Sequence, residues 1–471
     1  MKVMRASANR PVFAAVVAGL VASCATYQPR PLAPEQSAAD FAARSLDDPG
    51  LRRFVETNSS RAIEVWPPLA WDFSTLMLAA LYFAPDLDMA RAQWATARAG
   101  RLTAGQRPNP VLSLQPGYDT TTSPPWILGA SLDVPIETAG KRRYRTAEAS
   151  HRSEVARLNI GSVAWQVRSR LRRSLLDWDG ARESVALLRG QESNLVASVR
   201  LLESQLAAGA IAAFTVTEAR LALGQTRFAV YDAAQRQAVA RLEVAGALGL
   251  PAHALEQAVF DLRELRVLPA EPAEAASRRQ AVLNRIDLRI VLAEYAAADA
   301  SLRLQLAKQY PDLHFNPGYQ LDQADNKWTL GLSLELPMRS HNQGPVAEAA
   351  ARRRELGAKL NALQARVLTE VEQGLAAYRV ARGKATAAQG VLADARRQET
   401  AARDLVAGGE MPLLELVRRQ VESSAAALVG LDAAVAAQQA LGALEDALRS
   451  PVPPSGAIEL EVRGQTPSSK P

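Results

Sequence analysis

The chain has 471 residues, 48% of them hydrophobic but only 5% aromatic, so alanine and leucine carry its apolar content. That mix favours long packed helices over a compact mixed core. The formal charge of +6 sets 55 basic against 49 acidic residues, and Lys2, Arg5 and Arg10 alone supply half of the excess. So near a balance excludes a dedicated nucleic-acid binder, which clusters its positive charge. The single cysteine, Cys24, excludes an internal disulfide. The four histidines (His151, His253, His314 and His341) are dispersed, with no metal-ligand spacing between them. No metal site and no cofactor is expected.

Residues 1–23 read as a signal peptide: a basic start, then an apolar run from about Val12 to Ala22 that is too short to cross a bilayer as a helix. The run ends in Val21-Ala22-Ser23-Cys24, small residues before a cysteine, which resembles a bacterial lipobox. That resemblance implies that cleavage leaves Cys24 as a lipid-bearing N-terminus. Ala25 in place of aspartate then permits sorting to the outer membrane. A plain signal peptide with an incidental cysteine is the competing reading. Residues 24–70 follow as a proline-rich, extended N-terminal segment with room for one short helix.

From there the chain repeats itself with a period of about 200 residues, far beyond the roughly 20–50 of solenoids and propellers. NPVLSLQPGY at 109–118 matches YPDLHFNPGY at 310–319, and WILGASLDVPI at 126–136 matches WTLGLSLELPM at 328–338. FAPDL at 83–87 corresponds to NRIDL at 284–288, and Gly209 in AAGAI to Gly408 in VAGGEM. The first repeat is placed at 71–250, a linker at 251–272 and the second repeat at 273–450. Residues 451–471 read as a disordered tail.

Each repeat predicts the order helix, strand, strand, very long helix, turn, helix. No proline occurs between Pro135 and Pro251, or between Pro345 and Pro412. An interior proline costs on the order of 3 kcal/mol in a helix, so these gaps permit long ones. Residues 147–206 and 347–406 are rich in Ala, Leu, Arg, Glu and Gln with apolar spacing of three and four, which predicts helices of about 100 Å. Gly209, Gly408 and Gly409 fall where those helices must stop and reverse, since glycine tolerates the left-handed conformation at a helix end.

The strands, placed at about 111–119, 126–136, 312–320 and 327–338, alternate with a period of two. Trp126, Leu128, Leu132, Trp328, Leu330, Leu332 and Leu334 fall on apolar faces. Ser131, Asp133, His314, Asn316, Ser333 and Glu335 fall on polar ones. A soluble sheet with one wet face has the same alternation. Three features favour lipid on the apolar side. The strand length of about 9–11 residues crosses a bilayer when tilted. Tyr118, Trp126, Tyr319 and Trp328 all lie near the turns, as an interfacial aromatic belt does. And four strands cannot sit in lipid with open edges, so the sheet requires oligomeric closure.

The ordered, duplicated plan resembles the TolC-like outer-membrane factors of tripartite efflux systems over about residues 70–450. The junction LDVPIETAGKRRYRTAEA (132–149) is similar to that family's strand-to-helix passage, and LELPMRSHNQGPVAEA (334–349) repeats its proline and glycine. The lipobox resembles the lipoprotein branch, which includes heavy-metal efflux channels of RND systems. The resemblance implies a mainly α fold with transmembrane β: a homotrimer with a twelve-stranded β-barrel in the outer membrane, continuous with a long periplasmic α-helical barrel. The polar strand faces then line the lumen and the apolar faces meet outer-membrane lipid. The tips at Gly209, Gly408 and Gly409 dock a periplasmic adaptor (membrane fusion) protein serving an inner-membrane pump of RND type. In that family acidic residues just past the second tip can ring the closed entrance, and Glu415 is the nearest match here. Without GxxxxGK, HExxH, GxSxG or CxxC, no enzyme is expected. A periplasmic coiled-coil lipoprotein with a docking role and no pore is the alternative; it leaves the duplicated strand pairs unexplained.

Overall fold

The computed structural model describes residues 27–59, 65–323 and 325–452. The expected signal peptide, Cys24 and nearly all of the expected tail lie outside the described residues. The chain divides into two compact units, one ending at Arg44 and one beginning at Ser45. The first holds helix α1 (Pro34–Ala42), opened by a proline at its N-terminus and buried nowhere along its length.

The second unit opens with α2 (Pro49–Asn58), capped by Asp48, whose side chain accepts from the Leu51 N–H at 2.8 Å. The N-terminal segment thus holds two helices where one was expected. Strand β1 (Trp71–Asp72) leads into α3 (Phe73–Phe83), with Asp72 accepting from the Thr75 N–H. Then come α4 (Pro85–Gly105), β2 (Val111–Tyr118), β3 (Trp126–Ile136), α5 (Lys141–Ala207) and α6 (Ala213–Leu248). After a short β4 (Phe260–Asp261), parallel to β1, the series returns. It runs through α7 (Glu274–Asn284), α8 (Ile286–Ala307), β5 (Leu313–Asp322), β6 (Asp325–Leu334), α9 (Gln343–Ala407) and α10 (Leu413–Leu448).

At 67 and 65 residues, α5 and α9 extend for about 100 Å each. Such helices hold only by packing along their length. Each runs beside a short helix at its strand end, α4 on α5 and α8 on α9, and beside a return helix at the other, α6 on α5 and α10 on α9. Helices α8 and α10 also pack on α5, which joins the two repeats. Alanine at the contacts (Ala233, Ala385, Ala433, Ala437, all buried) lets the backbones approach closely. One described helix, Leu413–Leu448, is long and apolar enough to cross a membrane, but Leu441, Leu444 and Leu448 are buried in a core against α9.

The duplication extends to the core. One cluster gathers Leu76, Phe83, Leu171, Leu175, Val244 and Leu248 around the middle of α5. Its counterpart gathers Leu288, Val367, Val371, Tyr378, Leu444 and Leu448 around the middle of α9. Residues 251–272 are more than a linker. Leu255, Leu262 and Leu265 are buried in the first cluster, and Pro269 accepts a hydrogen bond from the buried Tyr378 hydroxyl at 2.6 Å.

Candidate functional site: a two-faced sheet and two helix tips

The four long strands form one antiparallel sheet in the order β2-β3-β5-β6, so each repeat contributes one hairpin. Ser131 faces Gly318 across the central β3–β5 pair, the seam between repeats. Register places Leu112, Leu114, Trp126, Leu128, Leu132, Leu313, Phe315, Trp328, Leu330, Leu332 and Leu334 on one face. Tyr118 stacks edge-on against Trp126 with ring centroids 5.0 Å apart, and Tyr319 tilts against Trp328 at 4.8 Å. These aromatic pairs sit at the two hairpin ends. Among the described residues nothing covers the middle of this face: Trp328 is 80% exposed and Leu330 74%.

The opposite face is polar and bonded across strands. Asp133 Oδ1 lies 3.0 Å from His314 Nδ1, and Asn316 Nδ2 donates to Ser333 Oγ at 3.0 Å. Ser131 pairs with Ser113 on the same face. Glu335, expected among these residues, stands one position past the end of β6. That strand runs 325–334 rather than 327–338, leaving Leu336 and Met338 beyond it as well. Leu334 pairs with Leu313, the first residue of β5, so β6 ends where its partner strand begins. The two outer strands, β2 and β6, each leave one edge without a partner strand among the described residues.

A polar network at the strand-to-helix junction went unread in the sequence. Asp312, which precedes β5, accepts from Lys141 Nζ and from the Thr138 N–H, both at 2.8 Å. Burial alone raises the Asp312 carboxyl, but these bonds outweigh it and hold the group below the usual carboxylate range. Arg145 pairs with Glu137 and donates to the carbonyls of Ala104 and Gln106, both at 2.8 Å, tying the end of α4 to the start of α5. The basic residues of LDVPIETAGKRRYRTAEA therefore anchor the sheet to the helices. The only signal in the sequence was their clustering at 141–145.

The tips are two five-residue turns, 208–212 and 408–412. In the first, Gly209 has φ +72° and the Ala210 N–H donates to the Gln205 carbonyl at 2.9 Å. In the second, Gly409 has φ +76° and Glu410 makes the same bond to Leu405 at 2.9 Å. Both are left-handed helix stops closed by a long backward bond. The counterpart of Gly209 is thus Gly409 rather than Gly408, which keeps φ −78° as the cap of α9. Pro412 stands just before the first turn of α10, where a missing N–H removes no helical bond. Glu415 lies in that first turn and bonds Arg419 at 2.9 Å, with Arg418 at 3.7 Å. The first tip carries Thr215 in its place.

Residues 76–250 match the sequence profile of the family described as outer membrane efflux protein. The cobalt-zinc-cadmium resistance protein CzcC of Cupriavidus metallidurans is 24% identical over 266 residues, which cover 56% of this chain and 62% of the relative. The chain therefore spans less than two thirds of that relative. Among solved structures, CusC, a protein that forms a transmembrane channel, superimposes with a TM-score of 0.65 at 20% identity, over 84% of this chain and 96% of its own. The outer-membrane channel OprN gives 0.66 at 18% identity, over 90% and 99%. The first repeat thus carries the sequence match of the outer membrane efflux proteins, and most of the chain shares the fold of the CusC and OprN channels.

Proposed function

We propose that the protein is the outer-membrane channel of a tripartite efflux system, a passive conduit from periplasm to exterior. The carrying observation is the sheet: an exposed apolar face, a bonded polar face and two open edges on one four-stranded element. In lipid, unpaired backbone groups each cost several kcal/mol, so such a sheet is stable there only when its edges meet those of other copies. Three copies close a barrel of twelve strands, with Asp133, His314, Asn316 and Ser333 toward the lumen and the leucine and tryptophan face toward lipid. The long helices then extend the passage into the periplasm, and the tips at Gly209 and Gly409 meet an adaptor that couples to an inner-membrane pump of RND type. Lipid on Cys24 adds a second hold on the membrane.

A conduit of this kind needs a wet path, a gate and a docking surface rather than a catalytic group. Glu415 is the proposed gate residue. Its bonds to Arg419 and Arg418 fix the first turn of α10, and opening shifts that turn between two states. Metal ions are the proposed cargo class, on the strength of what CzcC's name states for that protein.

The test is single-channel conductance of the purified, detergent-extracted protein in a planar bilayer. Discrete steps that grow with Glu415→Gln support pore and gate together. Steps that ignore the substitution keep the pore and discard the gate. A soluble protein with no trimer overturns the channel reading in favour of the docking lipoprotein.

A further inference from the structure

Helix α8 begins at Ile286 and α10 ends at Leu448, and the two ends meet between α5 and α9, where Arg285 Nη1 donates to the Ala447 carbonyl at 2.7 Å. The seam borders a half-open cavity of about 820 Å³, lined by six arginines against three carboxylates. A space of that size falls within the range of small-molecule sites.

The carboxylates are already engaged. Asp287 and Glu370 accept from Arg285 at 2.6 and 2.8 Å. Asp446 accepts from Trp165 Nε1 at 2.8 Å and from the Ser169 hydroxyl. Glu445, buried behind the cavity, holds Arg168 at 3.0 Å and approaches Arg172 at 3.5 Å. Positive charge is left over. Among the described residues Arg173 makes no hydrogen bond or ion pair, Arg449 makes no side-chain hydrogen bond or ion pair but adds its charge beside Asp287, and Arg366 reaches Glu370 only at 3.6 Å. Arg168 is 9% exposed, and its Nε is buried with no hydrogen-bond partner. A buried donor left unpaired is costly, and a guanidinium presents a planar fork of donors suited to oxyanions.

The fold does not demand this chemistry. At the equivalent seam of the first repeat, Ala84, Ala245, Gly246 and Gly249 stand where the second repeat has Arg285, Glu445, Asp446 and Arg449. The first seam keeps one charged pair, Asp86 (the counterpart of Asp287) with Arg170 at 3.3 Å, and lacks these four groups.

We propose that this cavity binds a small solute bearing phosphate or carboxylate groups, with Arg173, Arg366 and Arg449 supplying the charge that closes on them. The site is independent of the conduit reading, since it lies among helices and uses no strand or tip residue.

The probe is inorganic phosphate, titrated calorimetrically at low chloride into the purified full chain in detergent. Saturable binding is expected, weakened about tenfold or more in an Arg173→Gln/Arg449→Asn double variant. Neither side chain makes a hydrogen bond or ion pair, Arg449 contributes only its charge beside Asp287, and asparagine suits the left-handed backbone there (φ +51°), so the thermal midpoint should shift little. Arg396→Gln, at an exposed arginine elsewhere on α9, should bind as the parent does. Repeating the titration with citrate separates the sources: tighter citrate assigns the site to carboxylates and tighter phosphate to phosphates, and either upholds it. An absence of saturable heat with both anions overturns the proposal. So does undiminished binding in the double variant. A double variant that loses trimers, with no anion bound by the parent, also overturns it and gives these arginines to a second copy's carboxylates.

Discussion

Asp133 and His314 lie 181 positions apart in the chain and 3.0 Å apart in the sheet, one from each repeat. Their contact spans the central β3–β5 pair, so the seam between the two copies is bonded by side chains as well as backbone. Asp133→Asn keeps a hydrogen-bond acceptor and removes a charge. Trimer yield should stay unchanged while the cation preference of the pore, read from reversal potentials in a salt gradient, falls. An unchanged reversal potential places Asp133 away from the conducting path.

The apolar face gives a second test. Leu332 is 65% exposed and Leu334 44%, so a lysine at either meets no clash within the protomer. Against lipid a lysine costs about 2–4 kcal/mol at mid-depth and less toward the interface, where Leu334 ends β6. The Leu332→Lys/Leu334→Lys variant should nearly vanish from outer-membrane trimers. Parental yield would mean that this face meets water.

The tips discriminate among three glycines. Alanine at Gly209 or Gly409 must adopt a left-handed backbone, at about 1–2 kcal/mol each. Alanine at Gly408 occupies a helical position and should be neutral or slightly stabilising. Nicking of the tips by subtilisin, which does not require the lysine or arginine that both turns lack, should therefore accelerate in the first two variants and not in the third. Equal acceleration at Gly408 would contradict the helix stop at Gly409.

Glu445 is 5% exposed and serves two buried arginines, Arg168 and Arg172. Its removal strands both, and breaking a buried ion pair costs about 3–5 kcal/mol. Glu445→Ala should lower the thermal midpoint sharply. Replacing Arg168, Arg172 and Glu445 together by apolar residues of similar size should be much milder.

Acid should loosen the same region through Asp287. Burial raises its carboxyl, but the hydrogen bonds and charge of Arg285 outweigh that and hold it below the usual carboxylate range. A carboxyl depressed by folding stabilises the protein fully above its unfolded pKa. That stability is lost as pH falls through the lower folded value. Thermal midpoints measured from pH 7 down to pH 3 should drop less in Asp287→Asn than in the parent. Parallel curves would remove Asp287 from the acid response.

Much of this was legible in residue order. Alternation around Trp126 and Trp328 fixed which residues share a face, because a one-residue slip reverses a whole strand. Proline-free stretches marked α5 and α9, since proline breaks a helix anywhere beyond its first turn, where Pro345 sits in α9. Contacts between distant positions left no periodic trace. Lys141 with Asp312 and Arg168 with Glu445 are joined only by folding, and each looked like a solvated charge on an amphipathic helix or strand end. The choice between Gly408 and Gly409 turned on a backbone angle that two adjacent glycines do not reveal.

The two copies are unequal in one measurable way. Helices α6 and α10 are both 36 residues, whereas α5 exceeds α9 by two, 67 against 65. Two residues amount to about 3 Å of rise and about 200° of winding. Aligned at their tips, the long helices reach the sheet out of phase with each other. In the proposed ring of three copies the wall would therefore repeat with three-fold rhythm and not attain six-fold equivalence. Tall and short staves would alternate around it, offering the proposed adaptor two kinds of seat rather than six alike.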